Sequence, residues 1–319
     1  MSGIVKELSA ETGLPESLIR RVMASAPLRY KHYVIPKRSG GMRQIAQPAR
    51  EVKFLQRAFA SRYLTSLPIH NNAKAYRLGL STRDNAVPHI GRGLILKFDF
   101  RDFFLSIRSE DWIAYCRTSG CITNEEDVHL TASLLFHRHT EYRSLRLAVG
   151  APSSPILSNI LMSEFDRQIS ELVARDKGIY TRYADDLTFS AARVGFLNRT
   201  VKAVMRTIRT VKHPRLEINM EKTKFVTSKY RRTVTGLTVT SDDRVTIGRE
   251  SKRQLHAAVH NALFSRLSGD EMRSLAGTLA YINSVEPEFL FVLRRKYGDD
   301  IVSFIQRCVI SGKAGPDVG

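Results

Sequence analysis

The sequence predicts an α+β fold in which an antiparallel sheet of ferredoxin-like connectivity carries helices on one face, followed by an all-helical segment. Three observations lead there. Strand, helix, strand-hairpin, helix and strand patterns succeed one another between Leu94 and Val239, the alternation of a split βαβ unit. The run Ile179-Tyr-Thr-Arg-Tyr-Ala-Asp-Asp-Leu-Thr-Phe-Ser190 alternates apolar and polar residues on either side of a charged turn, as a half-buried hairpin should. After Gly248 the pattern is wholly helical.

Each element has its own justification. The first thirty residues read as short helices, with Leu14, Leu18, Ile19 and Val22 in one apolar stripe around Pro15. Tyr33–Ile35 and Met42–Ala46 flank the turn Ser39-Gly40-Gly41, which predicts a hairpin with basic residues on both arms. From Glu51 to Leu64, Val52, Leu55, Phe59 and Tyr63 fall at helical spacing. Leu94 to Asp99 is an apolar strand ending in a carboxylate. Ser154 as N-cap and Pro155 in the first turn open a helix expected to run to Val173, with Ile156, Ile160, Phe165 and Ile169 inward. A basic helix is expected from Leu197 to Val211, with Val201, Val204, Met205 and Ile208 inward. Helices over Ser251–Leu267, Glu271–Ser284 and Glu288–Tyr297 are punctuated by Gly269, Pro287 and Gly298, and a polar tail from Gly312 reads as frayed. The resulting segments are 1–95, 96–240 with a helical insertion at about 110–148, and 241–319.

Composition narrows the partners. The 319 residues hold 50 Lys and Arg against 31 Asp and Glu, a net charge of +19 and a pI near 10.1. Such an excess suits a polyanion and predicts salt-dependent binding. Between Arg175 and Arg232 there are 15 Lys and Arg against 5 Asp and Glu, so the acidic pair Asp185-Asp186 sits in a basic stretch. Cys116, Cys121 and Cys308 form no CxxC pair, which argues against a secreted disulfide framework. Cys116 and Cys121 with His129, His137 and His139 match no familiar zinc spacing. No apolar run approaches membrane-spanning length and the N-terminus lacks a secretory core. The expectation is a cytoplasmic protein with no membrane partner.

Two adjacent carboxylates on a hairpin tip repel each other unless they are solvated or share a divalent cation, whose hard-oxygen preference they match. Asp99 is the natural third ligand, because neighbouring strands lie only about 4.8 Å apart and a strand end can meet a hairpin tip. The bland alternatives are a solvated turn at Asp185 and Asp186, a helix cap at Asp99 and a surface charge at Asp102.

In order along the chain, Lys37-Arg-Ser-Gly-Gly-Met-Arg-Gln-Ile45 with Pro48, Phe98-Asp99 with Phe104, Gly150-Ala-Pro-Ser-Ser-Pro155, Tyr183-Ala-Asp-Asp186 and Ile218-Asn-x-x-Lys-Thr223 resemble the fingers segment and motifs A, B, C and D of reverse transcriptases. Asn85-Ala-Val-Pro-His89 and Val234-Thr-Gly236 resemble the NAxxH and VTG elements of the retron reverse transcriptases. The resemblance runs from about Lys31 to Tyr297. It departs at Val149, where Gln usually precedes the motif B glycine, and at Leu105, where Pro usually follows two phenylalanines.

The resemblance implies a right-hand polymerase fold with fingers, a ferredoxin-like palm and a helical thumb. It implies RNA-templated DNA synthesis with two Mg²⁺ ions held by Asp99, Asp185 and Asp186 and the Phe100 backbone carbonyl, with Lys222 acting on the leaving phosphates. Arg43, with Lys37 and Lys53, would contact the dNTP triphosphate, since a guanidinium fork matches phosphate oxygens. Phe104 would exclude a 2′-hydroxyl, and Gly150 with Ala151 would let backbone approach the substrate. Asn85, His89, Tyr183, Val234, Thr235 and Gly236 would contact nucleic acid. The implied partners are a cognate structured noncoding RNA of msr-msd type, its cDNA, dNTPs and an effector protein in antiphage defence. Synthesis would start at an internal guanosine 2′-hydroxyl and give branched RNA–DNA. Two alternatives stay open: another bacterial reverse transcriptase class, of diversity-generating or abortive-infection type, and a non-catalytic RNA-binding scaffold.

Overall fold

The structure is a computed structural model that describes residues 3–37, 40–192, 194–226 and 231–308. Arg38, Ser39 and the expected tail lie outside the described residues. The chain forms two compact units, one from Met1–Leu78 with Leu96–Phe225 and the other from Gly79–Ile95 with Val226–Gly319.

In the first unit, α1 (Gly3–Thr12) and α2 (Glu16–Ser25) bury Ile4, Val5, Leu8, Ile19, Val22 and Met23. Strands β1 (Tyr30–Pro36) and β2 (Met42–Pro48) pair antiparallel from Tyr30 with Pro48 to Pro36 with Met42. The hairpin is solvent-exposed along most of both arms. Helix α3 (Arg50–Arg62) buries Val52, Leu55 and Phe59 as its spacing requires, while α4 (Thr82–Ala86) belongs to the second unit.

The centre of the first unit is a four-stranded sheet. It consists of β3 (Leu94–Asp99), β6 (Ile179–Tyr183), β7 (Asp186–Ala191) and β8 (Lys224–Val226) in the order β6-β7-β3-β8. Between β3 and β6 come α5 (Phe103–Ser106), α6 (Ser109–Ser119), α7 (Glu125–Leu135), the ribbon β4 (Phe136–His137) with β5 (Arg146–Leu147), α8 (Ser154–Leu161) and α9 (Ser163–Arg175). Helix α10 (Val194–Thr210) follows β7, and α9 and α10 pack on β6 and β7 and on each other. The antiparallel hairpin with its helices is the ferredoxin-like layer the sequence predicted.

Three expectations change in detail. The helix expected from Ser154 to Val173 breaks at Met162, and Ser153 rather than Ser154 takes the N-cap position, with no side-chain cap bond. The hairpin β6–β7 is buried on both faces rather than half-buried, with Thr181, Arg182, Thr188 and Ser190 all enclosed. Its polar residues are tolerated there because they are partnered, as Arg182 is by Asp166 on α9. In α10 the innermost line is Leu197, Thr200, Val204 and Thr207, while Val201, Met205 and Ile208 are only half-buried.

In the second unit, α4 packs with the three-stranded sheet β11 (Val245–Thr246), β10 (Leu237–Val239) and β9 (Thr233–Val234). Helices α11 (Arg249–Leu263), α12 (Gly269–Val285), α13 (Pro287–Tyr297) and α14 (Asp299–Arg307) share one core with them, built on Ala86, Ile95, Val234, Leu237, Val259, Leu279 and Leu293. This core explains why the segment Gly79–Ile95 folds with the C-terminal helices.

Candidate active site

Strand alternation decides which side of the central sheet carries chemistry. Phe98 of β3 meets Phe189 of β7 edge-on with ring centroids 5.8 Å apart, and Tyr180 opposite stacks on Phe189. Tyr180 and Arg182 both bond Asp166 of α9. These aromatic residues and Arg182 therefore share the helix-covered face, and Lys97, Asp99, Tyr183 and Asp186 fall on the other by the two-residue period. Burial on the helix side orders the sheet, and on the opposite side Asp186, at the strand end, is the exposed member of the acidic set.

Main-chain bonds bring the carboxylates together. The Phe100 N–H donates to the Asp185 carbonyl at 3.2 Å, which ties the hairpin tip to the end of β3. On the far side of β3, the Asn219 N–H donates to the Asp99 carbonyl at 2.8 Å and the Arg101 N–H to the Glu217 carbonyl at 2.8 Å. Residues 217–219 thus place the 3₁₀ turn Met220–Lys222, from which Lys222 Nζ reaches Asp99 Oδ1 at 2.9 Å. Asp99 caps no helix, and Asp102 is an exposed residue with φ 43° before α5.

The carboxylates feel one another. Burial raises the Asp185 carboxyl above its ordinary value, and the charge of Asp99 raises it further, while Lys222 and Arg43 act the other way. Asp186 is pushed up to about 6, first by burial and then by Asp185 and Asp99. Asp186 nevertheless shows exposed area at the sheet rim, so solvent screens part of that cost. Lys222 is raised, chiefly by its bond to Asp99. Lys97 is lowered by burial against the pull of Asp186.

Whether the set fits a metal follows from its donors. Asp99, Asp185 and Asp186 offer hard oxygens, and burial and neighbouring negative charge disfavour the ionised forms of Asp185 and Asp186, penalties that a divalent cation would relieve. As they stand they are not a closed cage: among the described residues no group of three His, Cys, Asp or Glu side chains is gathered around a common point, the cysteine–histidine combination included. Asp99 is instead held by Lys222, whose ammonium supplies the neutralising charge.

The other expected residues divide. Phe104 is half-buried and meets Tyr76 edge-on, with ring centroids 6.3 Å apart. Arg43 on β2 is exposed and within electrostatic reach of Asp185. Exposed Lys37 and half-buried Lys53 make no ion pair among the described residues. Gly150 has φ 124°, and a Cβ there would meet the Ala46 carbonyl oxygen at 3.0 Å. Its close approach is therefore to β2, where the Ala46 N–H donates to the Val149 carbonyl at 2.9 Å. Ala151 is buried against Ala46 and Ala148.

The expected nucleic-acid contacts need a correction. Asn85, His89 and Val234 are fully buried, so their side chains do not form the surface that was expected. Asn85 Nδ2 donates to Thr235 Oγ1 at 3.4 Å, and Thr235 Oγ1 donates to the Thr82 carbonyl at 3.3 Å. Thr235 and Gly236, with φ 46° and 83°, form the tight turn between β9 and β10. The NAxxH and VTG elements are thus one packed assembly, of which Gly236 is the exposed part.

Tyr76 is the residue that sequence reasoning missed. It has φ 60°, and its phenol is raised by burial and by the nearby Asp185 and Tyr183. Its segment is fixed because Arg182 N–H donates to the Asn72 carbonyl, Lys74 N–H to the Arg182 carbonyl and Asn159 Nδ2 to the Ala75 carbonyl. The run Asn71-Asn72-Ala73-Lys74-Ala75 gave no periodicity from which to read this edge.

A family model described as "Reverse transcriptase (RNA-dependent DNA polymerase)" matches residues 35–240. The chain is 35% identical over 280 residues to the Retron Ec83 reverse transcriptase of Escherichia coli, covering 87% of this chain and 90% of that one. This chain belongs to the retron reverse transcriptases. A second member, the Retron Ec86 reverse transcriptase of Escherichia coli, is 31% identical, with 92% of this chain and 90% of that one covered. The Retron Mx65 reverse transcriptase of Myxococcus xanthus is 32% identical, with 89% and 68% covered. This retron reverse transcriptase is an RNA-directed DNA polymerase with a right-hand α+β fold, and among its described residues no helix is long and apolar enough to cross a membrane.

Proposed function

We propose that this reverse transcriptase copies a cognate structured noncoding RNA of msr-msd type, starting from an internal guanosine 2′-hydroxyl and leaving branched RNA–DNA. The carrying observation is the junction of Asp99, Asp185, Asp186 and Lys222 at one sheet edge. Asp99, Asp185 and Asp186, with the Phe100 carbonyl, would hold two Mg²⁺ ions. Bound there, the ions would lower the pKa of the attacking hydroxyl and neutralise charge on the departing pyrophosphate. Arg43 orients the triphosphate, with Lys37 and Lys53 as further cations. Phe104 closes against the sugar beside Tyr76. Lys222, released from Asp99, stabilises the leaving phosphates. Tyr183, Thr235 and Gly236 contact nucleic acid, the last two reading RNA by shape and 2′-hydroxyl approach. The product complex joins an effector protein in antiphage defence.

The test supplies purified protein, the noncoding RNA encoded beside its gene, dNTPs and Mg²⁺, and repeats the reaction with Asp185→Asn. Branched cDNA from the wild type alone is expected. RNA binding without synthesis by the wild type would leave the scaffold reading standing, and linear cDNA would point to another reverse transcriptase class.

A further inference from the structure

Behind the acidic turn lies a fully buried ion pair that the reaction as described does not use. Arg182 Nε lies 2.9 and 3.2 Å from the two Asp166 carboxylate oxygens, and its NH2 lies 2.7 Å from Oδ2. Tyr180 donates its hydroxyl to Asp166 Oδ1 at 2.6 Å. Both charged side chains have no exposed area. The remaining terminal nitrogen, NH1, turns away from the carboxylate and donates to the Ala184 carbonyl at 3.1 Å.

Ala184 is the strained residue of the turn. Tyr183 pairs with Asp186, so Ala184 and Asp185 form a two-residue loop. Ala184 has φ 58°, while Asp185 is not in the positive-φ region. That pattern ordinarily takes glycine at the first loop position, and an alanine there persists only where the surroundings over-determine it. Two bonds do so. Arg182 NH1 holds the carbonyl before Asp185, and the Phe100 N–H holds the carbonyl after the Asp185 Cα at 3.2 Å. The peptide planes on both sides of Asp185 are thereby fixed.

We infer that Asp166 and Arg182 are positioning residues, a buried clamp that holds the Ala184 turn in its strained form so that the Asp185 and Asp186 carboxylates keep their place beside Asp99. The assignment rests on the polymerase reading of those carboxylates. Arginine is required because one planar group must grip a carboxylate in a fork and still present a third donor to a carbonyl, which lysine's single ammonium cannot do. Asp166 and Tyr180 aim that group.

The test uses the full-length protein with its RNA and dNTPs. Arg182→Lys keeps the charge and loses the fork. The triple variant Asp166→Leu, Tyr180→Phe, Arg182→Met replaces the pair by apolar groups of similar size, a change that buried pairs often tolerate. The readouts are melting temperature, single-turnover extension rate, dNTP KM and Mn²⁺ affinity by electron paramagnetic resonance. Both variants are expected to extend about 10- to 100-fold more slowly, with dNTP KM within about twofold and Mn²⁺ binding weakened in step. Adding Ala184→Gly to Arg182→Lys should recover part of the rate, because glycine adopts the turn without help. A folded variant with wild-type rate and Mn²⁺ affinity overturns the clamp. So does an Arg182→Lys protein that loses only stability and gains nothing from Ala184→Gly, which would assign the pair to the fold alone. A wild type that extends nothing defeats the polymerase reading itself.

Discussion

Asp186 shows what the site costs the protein at the scale of a single residue. Its carboxyl stands at about 6 against an ordinary 3.8, so the folded protein binds that proton more tightly than the unfolded chain does. The linked stability is present in full below pH 3.8 and is lost as the pH rises to about 6. Asp186→Asn, which cannot ionise, should therefore raise the melting temperature in metal-free buffer at pH 7.5 and leave it unchanged at pH 3.5. The gain should be at most about 1 kcal/mol because solvent screens the exposed carboxylate. Thermal melts at the two pH values check it, and an equal gain at both would contradict the cause given. Phe104 carries a second residue-scale prediction: Phe104→Ala should raise ribonucleotide incorporation about tenfold or more, the order a resized pocket gives. A competition assay of dNTP against NTP reads it, and unchanged sugar selectivity would refute the role.

Elements, rather than single residues, place the acidic side of the sheet. Phe98 against Phe189 fixes the phase of β3 and β7, and the alternate positions Lys97, Asp99 and Asp186 follow from it. The strands were legible in sequence, Leu94 to Asp99 with a carboxylate at its end and Ile179 to Ser190 with Asp185-Asp186 at its turn, whereas the face each side chain takes was not. The helix phase around Val52, Leu55 and Phe59 was legible from their spacing. What could not be read was long-range. Arg182 looked like one charge in a basic stretch, and only the fold brings α9 behind it to bury it on Asp166. Asn85 and His89 were expected to contact nucleic acid, yet both are fully buried in the unit whose core holds Ala86, Val234 and Leu279. Gly150 suggested substrate approach, whereas its absent side chain makes room for Ala46 of β2. Gly150→Ala would push Cβ to 3.0 Å from that carbonyl at φ 124°. It should destabilise the first unit by about 1–3 kcal/mol, read as a lower melting temperature with a matching loss of extension. A neutral effect would mean that the loop does not depend on β2.

Across the whole molecule, charge is the term that reaches beyond any one contact. A net charge of +19 draws a polyanion to the protein before any shape is read, and each neutralised phosphate releases bound counterions. RNA affinity should therefore fall steeply with salt, by about 300-fold between 50 and 200 mM for six phosphate contacts on single strands. Fluorescence anisotropy across a salt series checks this, and a flat response would remove the electrostatic account of RNA capture. Asp185→Asn should keep that binding within about twofold while lowering extension by about 10³-fold, the separation expected if the proposed function divides chemistry from distributed charge in this way.

The most direct measurement is a crystal structure of the protein with Mn²⁺ and a non-hydrolysable dNTP, read by anomalous scattering. Manganese is expected at the end of β3, with oxygens of Asp99 and of Asp185 or Asp186 in its coordination shell and Lys222 moved off Asp99. Manganese bound elsewhere, with Lys222 still on Asp99 at 2.9 Å, would contradict it.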